Sequence, residues 1–326
     1  MRATARFANS VPAKTGSPGR DGFRVFAKAA LILLFALFLF DVMGAIIKLL
    51  GNRYPPEQLS ALRNFFGLIP SFVLIVSSRE WHAAGRRVVI RQWRLGLARG
   101  IFIAFAQICF YTSLVHLEFA TASTIGFATP LFITALTLPV LGNRVGLWRW
   151  LAVLVGFAGI VWVVRPGSDV FSWYALLPLA ASMGYASAAV LVRLFDSDVP
   201  STMINLYTTV GALVGSLVLV FSLGNLTPVL SAADWLWILA MGLCGGVAVI
   251  SLISAYRLTV PSNLSPFEYF GIVFSFALGW VFFGEAPFGR LIPGVFLIVA
   301  GGLMIVWREN ADRLRRDAGL AEEPPA

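Results

Sequence analysis

Apolar residues run through this chain in long, nearly unbroken blocks, without the alternation of a half-buried strand or the one-sided stripe of a surface helix. A helix needs roughly 20 mostly apolar residues to cross about 30 Å of hydrocarbon. By that measure the pattern predicts ten membrane helices, over 27–50, 57–77, 95–115, 120–139, 148–165, 171–192, 200–222, 233–255, 262–283 and 289–307. The connections are short apart from a basic loop over 78–94, so no soluble catalytic domain fits between the spans. Residues 1–26 are rich in Pro, Gly, Ser and Arg, and residues 308–326 end in Glu-Glu-Pro-Pro-Ala; both lack the apolar surface needed to fold and are expected to be flexible tails. The first block carries Asp41 and Lys48 and has no small-residue cleavage site after it, so it is expected to stay in the mature chain.

Composition agrees with the pattern, since 58% of the residues are hydrophobic and only 13% are charged. The net charge of +9 would suit a nucleic-acid partner, but the positions of the basic residues point to the lipid bilayer and to no nucleic acid. With the N-terminus inside, one side collects Arg2, Arg6, Lys14, Arg20, Arg24, Lys28, Arg79, Arg86, Arg87, Arg91, Arg94, Arg144, Arg149, Arg193, Arg257, Arg308, Arg313, Arg315 and Arg316. The other side holds only Arg53, Arg165 and Arg290. This asymmetry predicts a multi-pass protein of a bacterial-type inner membrane with both termini cytoplasmic. Cys109 and Cys244 fall inside spans and read as small apolar residues, with no disulfide, metal site or cofactor expected.

The second half repeats the first at an offset of 142–145 residues. Lys48 faces Arg193, Pro55 faces Pro200, and Arg63-Asn64-Phe65-Phe66-Gly67 faces Tyr207-Thr208-Thr209-Val210-Gly211. Gly142-Asn143 faces Gly284-Glu285, and Ala158-Gly159 faces Ala300-Gly301. Five crossings per unit invert the second unit relative to the first. The expected fold is therefore an all-α membrane protein of ten transmembrane helices in two inverted five-helix repeats, 27–165 and 171–307. Inverted repeats meeting at the midplane are a recurring architecture of secondary transporters, because exchanging the two units' conformations opens one central site to each side in turn.

Charged residues at bilayer depth cost at least about 2.5–3.5 kcal/mol each, so they line cavities, pair, or reach an interface. Asp41 is near the middle of the first span, with Gly44 and Lys48 on the same face. Lys48, one turn from the outer end, is expected to snorkel, and Arg99, one turn into the third span, to anchor the interface. Arg63, two turns below the outer end of the second span, is read as a binding group for a substrate anion, with snorkelling as the alternative. Glu268 has too short a side chain to snorkel, and its stripe with Gly271, Ser275 and Gly279 reads as a cavity wall or, alternatively, a packing seam. Tyr207 and Tyr269 join the candidate substrate site, one as the repeat mate of Arg63 and the other as the neighbour of Glu268. Glu268 and Asp41 are the candidate proton-coupling groups, because burial favours the neutral carboxyl. Gln107 and Asn205 are candidate hydrogen-bond donors or packing groups, and the aromatics Tyr111, Trp162, Tyr185, Tyr256 and Trp280 are too numerous to assign to one pocket. Pro130 frees the carbonyl of Gly126, which a Thr hydroxyl or a neighbouring helix is expected to satisfy.

With these residues in view, the chain resembles the drug/metabolite transporter superfamily, in its ten-helix branch built from two EamA-type repeats. The resemblance spans roughly 27–307 and rests on Asp41-Val42-Met43-Gly44-Ala45-Ile46-Ile47-Lys48, Arg63, Pro130 with Gly142-Asn143, and Pro266-Phe267-Glu268-Tyr269 with Gly284-Glu285. It implies movement of small metabolites such as amino acids, nucleotide-related compounds, vitamins, S-adenosylmethionine or drugs, commonly outward and without ATP. The absence of a P-loop agrees. The resemblance also leads one to expect Gly-Glu at the ends of the fourth and ninth helices, whereas the first repeat has Asn143.

The expected function is a secondary transporter for an amino-acid-like or other small polar or amphipathic solute, working by alternating access, with proton coupling and exchange both open. The expected protein is a monomer or a homodimer, and not an enzyme. A membrane-embedded enzyme acting on lipid-linked substrates is the alternative, disfavoured because His82 and His116, the only histidines, both fall in loops. A non-transporting membrane sensor is a third reading.

Overall fold

The computed structural model describes residues 20–83, 85, 88–141, 147–165, 171–196, 198–259, 264, 267–285 and 288–317. Among these there is no strand. The long helices are α1 (Arg20–Gly51), α2 (Pro56–Val76), α3 (Trp93–His116), α4 (Phe119–Gly126), α5 (Thr129–Leu141), α6 (Leu147–Val164), α7 (Leu176–Leu191), α8 (Ser201–Leu223), α9 (Ala232–Leu258), α10 (Phe270–Phe283) and α11 (Gly294–Asp317). Seven described segments are long and apolar enough to cross a bilayer, and three shorter apolar helices, Trp150–Val164, Phe270–Phe283 and Gly294–Met304, supply the remaining spans. Asn143, Pro266 and the tails at 1–19 and 318–326 lie outside the described residues.

Helix ends follow local chemistry. Pro55 and Pro200, repeat mates, precede α2 and α8 with almost the same backbone angles, φ −59°, ψ 144° and φ −60°, ψ 136°. Proline suits this position because its fixed φ starts a helix and it has no N–H to leave unpaired. The fourth span is broken between α4 and α5, just before Pro130. The freed carbonyl of Gly126 accepts hydrogen bonds from Thr129 Oγ1 at 2.9 Å and from Ser182 Oγ of α7 at 3.0 Å. A Thr hydroxyl and a neighbouring helix thus share the task that the sequence assigned to one or the other.

Helix packing maps onto itself when the first five spans are exchanged for the last five. α1 packs on α9 as α7 packs on α3; α2 packs on α9 as α8 packs on α3; α1 packs on α10 as α7 packs on α5. The pairs α2 with α8, α4 with α10 and α6 with α11 are their own images. Small residues fix the same register. A side chain on Gly100 of α3 would meet the α8 backbone at Thr208 and Ala212, 2.5–2.6 Å away, and its repeat mate Gly242 of α9 abuts Phe66 of α2. Likewise Gly159 of α6 faces Gly294 of α11, while its mate Gly301 faces Ala152 and Gly156. Close approach of this kind is how helices gain contact energy where lipid supplies no hydrophobic drive between them.

The core contains Ile47, Leu50, Leu59, Leu114, Phe119 and Ile125, while Leu31, Phe72, Phe221 and Val281 stand outward. Outward apolar side chains on all sides suit a surface solvated by lipid tails. The bundle has two ends, one marked by Lys48 and Glu285 and the other by Arg99 and Tyr207.

Candidate functional site

Helix α2 presents Ser60, Arg63, Asn64 and Gly67 on one face, spaced at three and four residues. α3 answers with Gln107 and Tyr111. Asn64 and Gln107 pair through both amides, Asn64 Nδ2 donating to Gln107 Oε1 at 2.8 Å and Gln107 Nε2 to Asn64 Oδ1 at 3.3 Å. Ser60 Oγ donates to the same Gln107 oxygen at 2.8 Å and lies 2.7 Å from Ser216 Oγ of α8. Three helices are thereby locked around one buried polar knot.

Arg63 hangs from this knot by a single hydrogen bond, Nη1 to Asn64 Oδ1 at 3.0 Å. No carboxylate pairs with it among the described residues, and its Nε is buried without a partner. The guanidinium lies against Gly245 of α9. Tyr111, 1% exposed, likewise has an unpartnered hydroxyl. Each orphaned buried group costs about 1–3 kcal/mol, so two of them, one beside Asn64 and the other a turn from Gln107 of the same polar knot, call for a ligand or a functional reason. Snorkelling is not what Arg63 does here.

Asp41 forms no hydrogen bond or ion pair with any described residue. Its Oδ2 stands 3.6 Å from the place a side chain on Gly271 would begin, and the Phe127 ring, at the break in the fourth span, is 3.0 Å from the same place. Tyr269 stacks on Phe127 with ring centroids 5.7 Å apart. The structure therefore gathers Asp41, Phe127, Tyr269 and Gly271 where α1, α4 and α10 meet. Gly279, further along the stripe, packs on Phe119 and Ala120. The stripe is thus a packing seam at one end and the wall facing Asp41 at the other.

Glu268 sits towards the Arg99 end and accepts a 2.5 Å hydrogen bond at Oε1 from Tyr256 of α9. Tyr207 is not brought to Arg63: its ring packs on Gly96 of α3 and its hydroxyl donates to the Val88 carbonyl at 3.1 Å. Arg99, expected at the interface, turns inward, donating from Nε to the Ala188 carbonyl at 2.9 Å and from Nη1 to Thr208 Oγ1 at 2.5 Å. It ties α3 to α7 and α8.

Lys48 is a correction to the sequence reading. Rather than snorkelling, it is buried, with Nζ 2.6 Å from Glu285 Oε1 and donating to the Leu117 carbonyl at 2.6 Å. Glu285 in turn accepts from the Phe119 amide at 2.7 Å. One ion pair therefore clasps α1, the α3–α4 connection and the end of α10. Nearby, Asp234 at the start of α9 accepts from Arg53 at 2.8 Å and from Tyr54 at 2.7 Å, and that carboxylate holds the Tyr54 phenol above its usual pKa.

The EamA-like transporter family matches residues 27–165 and 172–307. The pseudopaline exporter CntI of Pseudomonas aeruginosa is 25% identical over 270 residues, covering 82% of this chain and 92% of that protein. A riboflavin transporter of Rhizobium johnstonii is 32% identical over 291 residues, 89% of this chain and 94% of the relative. An S-adenosylmethionine uptake transporter of Rickettsia bellii is 26% identical over 272 residues, 83% and 89% of the two chains. A crystal structure aligns with TM-score 0.59 at 24% identity over 88% of this chain and 99% of its own, a likeness of fold.

Proposed function

This chain belongs to the EamA-like transporter family, and we propose that it moves a small charged or zwitterionic metabolite across the inner membrane by alternating access between its two repeats. It is a multi-pass membrane transporter of small molecules and not an enzyme. The observation that carries the finer reading is that two groups of opposite charge in the membrane helices, Asp41 on α1 and Arg63 on α2, have no ionic partner among the described residues. Charges left unpaired at that depth are costly unless a solute or water meets them. The named relatives carry pseudopaline, riboflavin and S-adenosylmethionine, three different solutes, and Arg63 and Asp41 are the groups that would select among solutes here.

Repeats 27–165 and 171–307 act as the two moving halves, with the Lys48–Glu285 pair as a latch at the external end. Its repeat mates are Arg193, which is exposed, and Asn143, which carries no charge, so these two positions cannot form an ion pair with each other. The arginine asymmetry supports cytoplasmic termini. Outward transport is proposed, by likeness to the pseudopaline exporter, with Glu268 or Asp41 as the proton-coupling acid. The test is flux in proteoliposomes, run in both directions with a panel of radiolabelled amino acids, opine-type compounds, riboflavin and S-adenosylmethionine. Selective flux that is lost in Asp41→Asn and Arg63→Gln supports the reading, and absence of flux for every solute removes it.

A further inference from the structure

Around Arg63 the two unpartnered groups point to more than a generic polar patch. A Cβ built on Gly245 would lie 2.6 Å from Sδ of Met43 and 2.9 Å from both Nε and Nη2 of Arg63, so a side chain there would crowd the Nε–Nη2 side of the guanidinium and the flexible end of Met43. Nε and Nη2 form the edge on which a carboxylate docks with two parallel hydrogen bonds, and Gly245 is the α9 residue beside it. Arg63's other edge is already engaged, through Nη1, by Asn64 and the amide knot behind it. That leaves one fork, aimed at α9, and a phenol, Tyr111, whose buried hydroxyl has nothing to bond to.

We infer that Arg63 and Tyr111 form one carboxylate-binding site, and that Gly245 is the specificity-determining residue whose lack of a side chain leaves only the flexible end of Met43 beside the docking edge of Arg63. The inference rests on the transporter reading and names the substrate group. A single guanidinium balances one carboxylate charge, whereas a phosphate dianion would bring an uncompensated charge into the bundle. The Tyr111 hydroxyl supplies a donor that stays neutral, as a carboxylate needs. In the structure described here α9 backs directly onto the fork, so the site opens only as α9 moves away from α2.

Tyr111→Phe is the sharp test, because it deletes an oxygen that bonds to nothing in the protein. Without ligand, purified Tyr111→Phe is expected to melt at the wild-type temperature or above, since the orphaned hydroxyl is gone. With a pool of proteinogenic L-amino acids or of di- and tricarboxylates as the probe, wild type is expected to gain thermal stability. The amides of the same amino acids should not raise it. Tyr111→Phe and Gly245→Ala should each need at least tenfold more carboxylate for the same gain, and Arg63→Gln should lose it. Equal stabilisation by acids and amides, no response of wild type to any carboxylate, or a wild-type response in Tyr111→Phe would each overturn the site. Flux of an uncharged solute that is indifferent to Arg63→Gln would also overturn it while leaving the transporter reading intact. Stabilisation by carboxylates without any flux would count against the transporter reading alone.

Discussion

Lys48 Nζ stands 2.6 Å from Glu285 Oε1, joining the end of α1 to the end of α10 across the boundary between the two repeats. Both side chains are largely shielded, at 11% and 21% exposure, so the pair is screened far less than a surface ion pair. Removing one partner leaves the other charge buried and unmatched, a loss of about 3–5 kcal/mol in comparable sites, whereas replacing both by apolar groups is much milder. Lys48→Met and Glu285→Met are each expected to lower the melting temperature of the purified protein, and the double variant to recover most of the loss. A double-mutant cycle on thermal unfolding measures this, and additive losses would show that the two residues do not act as a pair.

The helix count, the break at Pro130 and the repeat register were all legible in the sequence, because each depends on a local property: length of an apolar block, a missing N–H, a glycine at a crossing. Partnering was not. Lys48 looked like a snorkelling lysine because its partner, Glu285, is far away in the sequence, and no periodicity within α1 announces it. Tyr207 looked like a site residue because it aligns with Arg63, yet pseudo-symmetry relates positions, not environments, and its ring lies against Gly96. Tyr111, which the proposed site adds, was one aromatic among many; the spacing of Gln107 and Tyr111 by one turn was the available signal. Ser60, Arg63 and Asn64 on one helical face was another.

Orientation is testable at two exposed positions. Val89, 79% exposed, lies in the basic loop, and Leu230, 89% exposed, in the connection between α8 and α9. Val89→Cys and Leu230→Cys, placed in a background with Cys109 and Cys244 changed to serine, are expected to label oppositely with an impermeant thiol reagent in whole cells, Leu230→Cys from outside. Labelling of Val89→Cys from outside would reverse the topology, and with it the assignment of the Lys48 latch to the external face.

Tyr269 is held between Phe127 and α11. A Cβ on Gly302 would overlap the Tyr269 hydroxyl, so Gly302→Ala must displace the tyrosine from its place beside Asp41. Overpacking of this kind typically costs about 1–3 kcal/mol. Gly302→Ala is expected to lower both stability and flux, and Gly302→Ala with Tyr269→Ala to regain the stability without the flux, as read by melting temperature and proteoliposome uptake. Full flux in the double variant would remove Tyr269 from the site.

Glu268 is one of the two acids proposed for coupling. Tyr256 donates to Oε1 at 2.5 Å, while Oε2 has no partner among the described residues, so a proton can settle on Oε2 without breaking the bond that holds the side chain in place. The group bonded to the carboxyl is the phenol of Tyr256 on α9, a side chain that carries no charge near neutral pH. No lysine or arginine among the described residues pairs with it to hold the carboxylate charged. Glu268→Gln preserves an oxygen for Tyr256 and removes the titration. It is expected to fold and to exchange substrate across vesicles at equal pH, but to lose accumulation driven by an imposed pH difference. Asp41→Asn is the matched comparison, expected to lose binding as well, since Asp41 is one of the two charged groups proposed to meet the solute. Undiminished pH-driven accumulation by Glu268→Gln would remove it as the coupling acid. A wild type indifferent to the pH difference would replace proton coupling by facilitated diffusion or exchange.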